Sequence, residues 1–243
     1  MRVIKAALAG LALSGLMSGA QAAIIAPVSG TASSEFSSRT SIEKTFDQSG
    51  LLINASSGGY TSGVDSFSNF VALKPTHALN FDKKWFSEFG ATSAQLDYDL
   101  GSVQSIQRMA IWAEEAAGFG NLTLRFSQDN VNFMTLLNNA PVRDNPAGVN
   151  PRAQVFGAEG GPWLRARYVR LELSGCPASG TLEFCGLSEI AFGTPEGGLS
   201  LLSSSLAAPG SPAAGSAAVP VPAGFALMAP ALVGLFLVTR RRR

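Results

Sequence analysis

Short runs of alternating apolar and polar residues, each cut off by a turn-former, set the limits on what this chain can fold into. Ala94, Leu96, Tyr98 and Leu100 alternate with polar residues until Gly101 breaks the run. Leu122, Leu124 and Phe126 do the same before Ser127-Gln128-Asp129-Asn130, and Val169, Leu171 and Leu173 share one face of the next run. Met109-Ala110-Ile111-Trp112 and Phe133 to Leu137 are compact apolar stretches, and Ile190 and Phe192 close the series. A period of two puts one face of a strand in the core and the other in water. No amphipathic helical stretch separates these runs, so an all-β sandwich or jelly roll fits better than a parallel sheet. With 26 Gly, 13 Pro and only 14% charged residues, the composition argues against a helical bundle or coiled coil.

The distribution of charge separates the two ends from the body. Arg2, Lys5 and Arg240, Arg241, Arg242 and Arg243 account for six of the 18 basic residues. The stretch between them holds 12 basic and 17 acidic residues, a net charge of −5. That balance argues against nucleic acid as a partner, because neutralising phosphates needs a basic face. At the N-terminus, Arg2 and Lys5 precede the apolar stretch Ala6 to Met17, and Ala20-Gln21-Ala22 gives a small-x-small pattern. Residues 1–22 therefore read as a signal peptide, cut by signal peptidase before Ala23. A short buried helix is the alternative.

The other end has three parts. From Gly197 to Ala218 the chain is uncharged and almost wholly Gly, Ser, Ala, Leu and Pro, a linker composition that begins near residue 194. Val219-Pro220-Val221-Pro222-Ala223 follows, extended because each Pro steers its predecessor away from helix. Ala223 to Thr239 is apolar and would span about 25 Å as a helix, slightly less than a ~30 Å hydrocarbon core. The four terminal arginines act as a stop-transfer signal on the cytoplasmic side. Together, residues 219–243 resemble the PEP-CTERM family of sorting tails, in its VPLPA-type variant. The resemblance implies a Gram-negative bacterial host, an exosortase-like membrane enzyme, cleavage near Pro220 to Ala223, and delivery to the cell surface or extracellular matrix. A permanent single-pass anchor is the alternative.

Cys176 and Cys185 are the only cysteines. In an exported chain such a close pair is most simply a disulfide. A zinc site would be half filled, with no third Cys or neighbouring His.

Further motifs run through residues 23–193 in order: Ala32-Ser-Ser-Glu35, Thr45 to Leu51, Tyr98-Asp-Leu-Gly101, Phe126-Ser-Gln-Asp129, Ala166-Arg-Tyr-Val-Arg-Leu171 and Leu187-Ser-Glu-Ile190. Taken together they resemble the coagulation factor 5/8 type C, or discoidin, domain. The resemblance implies a galactose-binding-like jelly-roll β-sandwich whose loops at one end bind glycans or lipid head groups. It further implies one structural calcium ion held at Asp47, Ser49, Gly50 and Glu189. Without the resemblance, Asp47 opens a turn and Glu189 is a solvated strand residue.

Sugar recognition combines an aromatic ring with a few polar groups. Tyr60, His77, Trp85, Trp163 and Arg165 are the leading candidates for contacting such a ligand, with Phe86, Phe119, Lys83, Lys84, Glu114 and Asn121 behind them. Trp112 reads as core. Asp97 and Asp99 share the solvent face of one strand, and no hydrolase, zincin or phosphate-loop pattern occurs. The sequence thus points to a non-catalytic module engaging extracellular polysaccharide or surface glycan. A structural matrix or envelope protein without a specific ligand and a carbohydrate-active enzyme are the rivals.

Overall fold

The computed structural model describes residues 22–157, 161–178 and 182–195. The predicted signal peptide (except Ala22), the linker beyond Pro195, the sorting motif and the Arg-rich end lie outside these residues. No helix among the described residues is long and apolar enough to cross a membrane.

Alternation becomes structure most directly in β7 (Ser93–Ile106), where Ala94, Leu96, Tyr98 and Leu100 are buried while Gln95, Asp97 and Asp99 are half-exposed. Its partner β12 (Leu164–Ser174) runs antiparallel to it and also pairs β9 (Asn121–Ser127). With β2 (Ser29–Ala32) and β10 (Met134–Pro141) at the edges, these form a five-stranded sheet in the order β10-β9-β12-β7-β2. Its outer face is laced by cross-strand ion pairs: Arg170 grips Asp97 at 2.7 and 3.1 Å, and Arg167 grips Asp99 through two 2.9 Å bonds. Arg125 pairs with Glu172 alongside them.

The second sheet holds β1 (Ile24–Ile25), β13 (Gly186–Gly193), β8 (Arg108–Ala113) and β11 (Gln154–Phe156) in that order. A short strand, β6 (Trp85–Phe86), also pairs β13. Every residue of β8 and β13 is buried. The compact run Met109 to Trp112 is explained by this: one face meets the first sheet, and the other is covered too. The cover is a helix, α1 (Phe67–Ala72), and a small sheet of β3 (Leu51–Ile53), β4 (Ser56–Ser57) and β5 (Thr76–His77). Leu51, Tyr60, Phe67 and Phe70 pack there against Ala110, Trp112 and Ala191. The expected all-β sandwich is therefore what the chain forms, with a covering layer that the alternation did not announce.

Pairing of Ile24 with Gly193 brings the first and last described strands to one end of the sandwich. Ala22 is already built in, its carbonyl accepting from the Phe67 amide at 3.2 Å, and the Ala23 amide donates to Thr194 Oγ1 at 2.7 Å. The opposite end, or apex, gathers the loops beyond Ala32, before Ser93, after Ala113 and after Ser174. A disulfide joins Cys176 to Cys185 there, with the two Cα atoms 5.0 Å apart.

Candidate functional site

The apex loops are cross-tied by backbone bonds. Phe36 N–H donates to Phe86, Ser87 to Cys185, Gly90 to Glu183 and Ala178 to Gly118. On this frame sit five phenylalanines in mutual contact. Phe86 and Phe184 are buried, whereas Phe36, Phe81 and Phe89 are 48%, 43% and 67% exposed. Phe81 stacks on Phe86 with ring centres 4.4 Å apart, and Phe36 and Phe89 meet Phe184 edge-on at 5.1 and 5.5 Å. The buried pair thus holds the exposed trio in place. Phe36 and Phe81 also line an open depression with Ser37, Arg39 and Asp82. The surrounding charge is acidic: Glu35, Asp82, Glu88 and Glu183 are exposed, against exposed Arg39 and half-exposed Lys83.

Beneath the platform, Lys84 is fully buried, its ammonium donating to Glu114 at 2.9 Å and to Glu115 at 2.6 Å. The second oxygen of Glu114 accepts from the amides of Ala116 and Ala117. Burial pushes the Glu114 carboxyl up, but the Glu115 bond, Lys84 and the Ala116 amide outweigh it and pull it below the ordinary range. Burial and then the Glu114 bond raise Glu115 instead, to about 6. The pair therefore divides its roles, Glu115 retaining a proton more firmly than its neighbour.

A different arrangement surrounds Glu189. The 3-10 turn Ile42–Thr45 packs on β13 and leads into Asp47, Gln48, Ser49 and Gly50. Asp47 accepts from the Ser49 amide and from Lys44 Nζ, each at 2.9 Å. Burial opposes its ionisation, yet the Ser49 hydroxyl and amide and Lys44 together lower its carboxyl below the ordinary range. Gln48, in the left-handed region at φ 61°, turns the loop and accepts the Tyr60 amide on its side chain. Facing this loop, Glu189 is fully buried with neither carboxylate oxygen hydrogen-bonded, and the buried Tyr60 hydroxyl is likewise unpartnered. Burial and then the charge of Asp47 push Glu189 well above the usual carboxylate range. The Gln48 amide points favourably from outside hydrogen-bonding geometry and offsets only part of this.

A buried carboxylate without donors must keep its proton or be neutralised by a cation. Calcium takes six to eight oxygens, many of them carbonyls and waters. Among the described residues no three His, Cys, Asp or Glu side chains gather, so Asp47 and Glu189 would need such supplements. The loop offers oxygen donors of the kind a hard cation takes, with Lys44 already paired to Asp47 and the His77 imidazole packed against Gly50. Ser49 and Gly50 each have one carbonyl lone pair engaged, by Lys83 Nζ and the Ala78 amide, both at 2.8 Å.

The structure disperses the aromatic and basic residues expected to contact a ligand. Trp85 is fully buried between the sheets, its indole donating to Ser34 C=O at 3.3 Å, and Phe86 and Phe119 are buried as well. Tyr60 packs edge-on against Phe70 at 5.1 Å. His77 is fully buried, its Nδ1 donating to the Ala78 carbonyl at 2.9 Å and its Nε2 unpartnered. Gly50 makes that position possible, since a Cβ there would lie 2.0 Å from the imidazole. The expectation of loop exposure for Tyr60, His77 and Trp85 is thus corrected: each fills the interior of a covering layer or sheet contact. Lys84 and Glu114, in the wider set, form the buried ion cluster. Half-buried Trp163 and exposed Arg165 lie at the end opposite the apex, where Arg165 borders a groove with Gln128, Asn132 and Met134. The apex trio Phe36, Phe81 and Phe89 was not anticipated. Its readable signal was each Phe standing beside Ser, Glu, Asp or Asn, although Phe81 also has Leu79 two residues before it.

No protein-family model and no curated protein matches this chain. Among solved structures it is similar to chitosan-binding module 1 from a chitosanase/glucanase of Paenibacillus sp. IK-5, at 18% identity over 68% of this chain and 92% of that one, with a TM-score of 0.44. It is also similar to the family 32 carbohydrate-binding module of C. perfringens NanJ in complex with galactose, at 11% identity over 71% and 98% of the two chains, TM-score 0.46. At these identities and TM-scores neither likeness assigns a ligand to this chain.

Proposed function

We propose that this is an exported, surface-sorted bacterial protein whose discoidin-like sandwich binds glycan without catalysis, through the apex that carries Phe36, Phe81 and Phe89. The exposed aromatic trio on a cross-tied frame is the observation that carries this reading. Solvent-facing rings cost hydration free energy, and apolar sugar faces recover it by stacking. Arg39, Asp82 and Ser37 beside the rings supply donors and acceptors for hydroxyls, the usual division of labour in a ligand site. The acidic surroundings favour neutral or amine-bearing sugars and oppose an anionic lipid surface. Asp97 and Asp99, the carboxylates nearest to a hydrolytic pair, are committed to Arg170 and Arg167.

In the same reading Glu189 and Asp47, with carbonyls of the Asp47 to Gly50 loop, hold one calcium ion. Bound there, calcium would neutralise the buried carboxylate and pin the loop to β13. Export and exosortase processing rest on the two ends of the sequence, and the disulfide suits an oxidising compartment.

A glycan array probed with the full-length protein and with Phe81→Ala tests the proposal. Saturable binding to neutral or amine-bearing glycans, weakened about tenfold by Phe81→Ala, is expected. Binding only to phosphatidylserine vesicles would make the apex a membrane-contacting surface. Binding to neither would favour a structural role.

A further inference from the structure

The outer face of the β10-β9-β12-β7-β2 sheet changes character along its length. Strand register sets Ser93, Ser174 and Asn121 side by side nearest the apex, then Gln95, Glu172 and Thr123, then Asp97, Arg170 and Arg125. The first two rows are short and polar, with Glu172 and Gln95 as their longest members. The third is a raised rib, because Arg170 is clamped by Asp97 and covered by the Phe133 ring at 4.3 Å. Between rib and apex lies a trough of ≈ 450 Å³ lined by Ser33, Ser93, Gln95, Thr123, Glu172 and Ser174.

We infer that this trough is a second sugar-contacting surface, continuous with the apex, that takes the interior of a hydroxyl- and amine-bearing polysaccharide chain. The inference rests on the apex reading and extends it from a single sugar to a run of several. Four adjacent strands, from β2 to β9, are crossed by the row that Ser33 begins, about 14 Å at ordinary strand spacing. Ser33 is fixed at the near edge by exchanging bonds with Gln95: its amide donates to the Gln95 carbonyl at 2.8 Å, and its hydroxyl accepts the Gln95 amide at 3.0 Å. Three residues on is Phe36, within about 10 Å of extended chain. The intervening Ser34 is held on both sides, its carbonyl accepting from Trp85 and its hydroxyl from the Glu88 amide. Trough and platform therefore keep a fixed spacing.

The lining chemistry selects the occupant. Hydroxyls of Ser93, Ser174 and Thr123 both donate and accept, the Gln95 amide keeps its carbonyl and one N–H beside its 2.9 Å bond to Asp97, and the Glu172 carboxylate is held by Arg125. Such a set matches a chain bearing hydroxyls at every unit, and an amine would find Asp82 at the apex. A uronate chain would meet like charge at the apex.

Isothermal titration of the full-length protein with glucosamine and with its β-1,4-linked hexamer tests this. The hexamer is expected to bind at least about tenfold more tightly than the monomer. Filling the trough with Ser174→Trp, or removing its amide with Gln95→Ala, should erase that gain and leave monomer binding within about twofold. Phe81→Ala should weaken both sugars alike. Equal affinity of wild type for monomer and hexamer, or a hexamer gain untouched in both trough variants, would overturn the trough and spare the apex. Binding of neither sugar to the wild type would overturn both.

Discussion

Lys84 and Glu189 are both ionisable side chains with no solvent exposure, yet their surroundings differ completely. Lys84 has two carboxylates within 2.9 Å, and one of those accepts two further backbone amides. Glu189 has no donor on either oxygen, a second carboxylate in its electrostatic reach, and an unpartnered tyrosine hydroxyl nearby. A buried charge is tolerated when paired and hydrogen-bonded, and is otherwise costly enough to change its protonation. The first cluster is thus internally paired, while in the second Lys44 is spent on Asp47 and Glu189 itself has no cation among the described residues. The contrast also falls on a structural boundary: Lys84 underlies the apex platform, whereas Glu189 lies on β13 facing the covering loop.

Breaking the complete cluster should give the largest effect. Lys84→Met leaves Glu114 and Glu115 buried without their cation, and should cost about 3–5 kcal/mol in urea unfolding. Adding Glu114→Gln and Glu115→Gln to that variant should recover much of the loss, because the uncompensated charges go with it. A loss below about 1 kcal/mol for Lys84→Met alone would show that water or protonation already satisfies the site.

The incomplete cluster should respond to an added ion instead. Calcium at a hundredfold excess over its dissociation constant should stabilise the wild type by about 2.7 kcal/mol. In Glu189→Gln that increment should vanish, and in Lys84→Met it should persist. A wild type indifferent to calcium would mean that Glu189 carries a proton. Its raised carboxyl would then contribute stability that is full below the unfolded value of 4.5 and lost as pH rises through the folded value. Glu189→Gln would in that case be the more stable protein at neutral pH.

The first sheet was legible because only one of its faces is buried, so Ala94 to Leu100 and Leu122 to Phe126 alternate visibly. The second sheet was harder to read: β8 and β13 are covered on both sides, which erases the period of two. That is also why Glu189, expected as a possible solvated residue, turns out to be enclosed. The exposure expected of Tyr60, His77 and Trp85 was misjudged for a related reason. Trp85 and Tyr60 stand in polar stretches that suggest loops, but large aromatic side chains bury wherever a layer needs filling. Phe36, Phe81 and Phe89 look equally local in sequence, and only the contacts of Phe86 and Phe184 show which rings stay outside. The cysteine pair needed no such context, being the only two thiols and nine residues apart.

His77 offers a finer test of the covering layer, because it lies in β5 against the same loop that faces Glu189. Burial first, then the positive charges of Lys84 and Lys83, lower its imidazole from 6.5 to about 4, with the Ala78 bond and Asp47 opposing. A base with a depressed folded value binds fewer protons in the native state. Its contribution is therefore full above pH 6.5 and is lost as pH falls through about 4. At pH 5 the loss should be about 2 kcal/mol relative to neutral pH. Carboxylates that are hydrogen-bonded in the fold also weaken it in acid, so the useful measurement is a difference. His77→Gln cannot titrate, and the stability gap between wild type and variant should shift against the wild type by that amount between pH 7.5 and pH 5. A gap independent of pH would show that the imidazole reaches water, and that the covering layer opens more readily than the sheet beneath it.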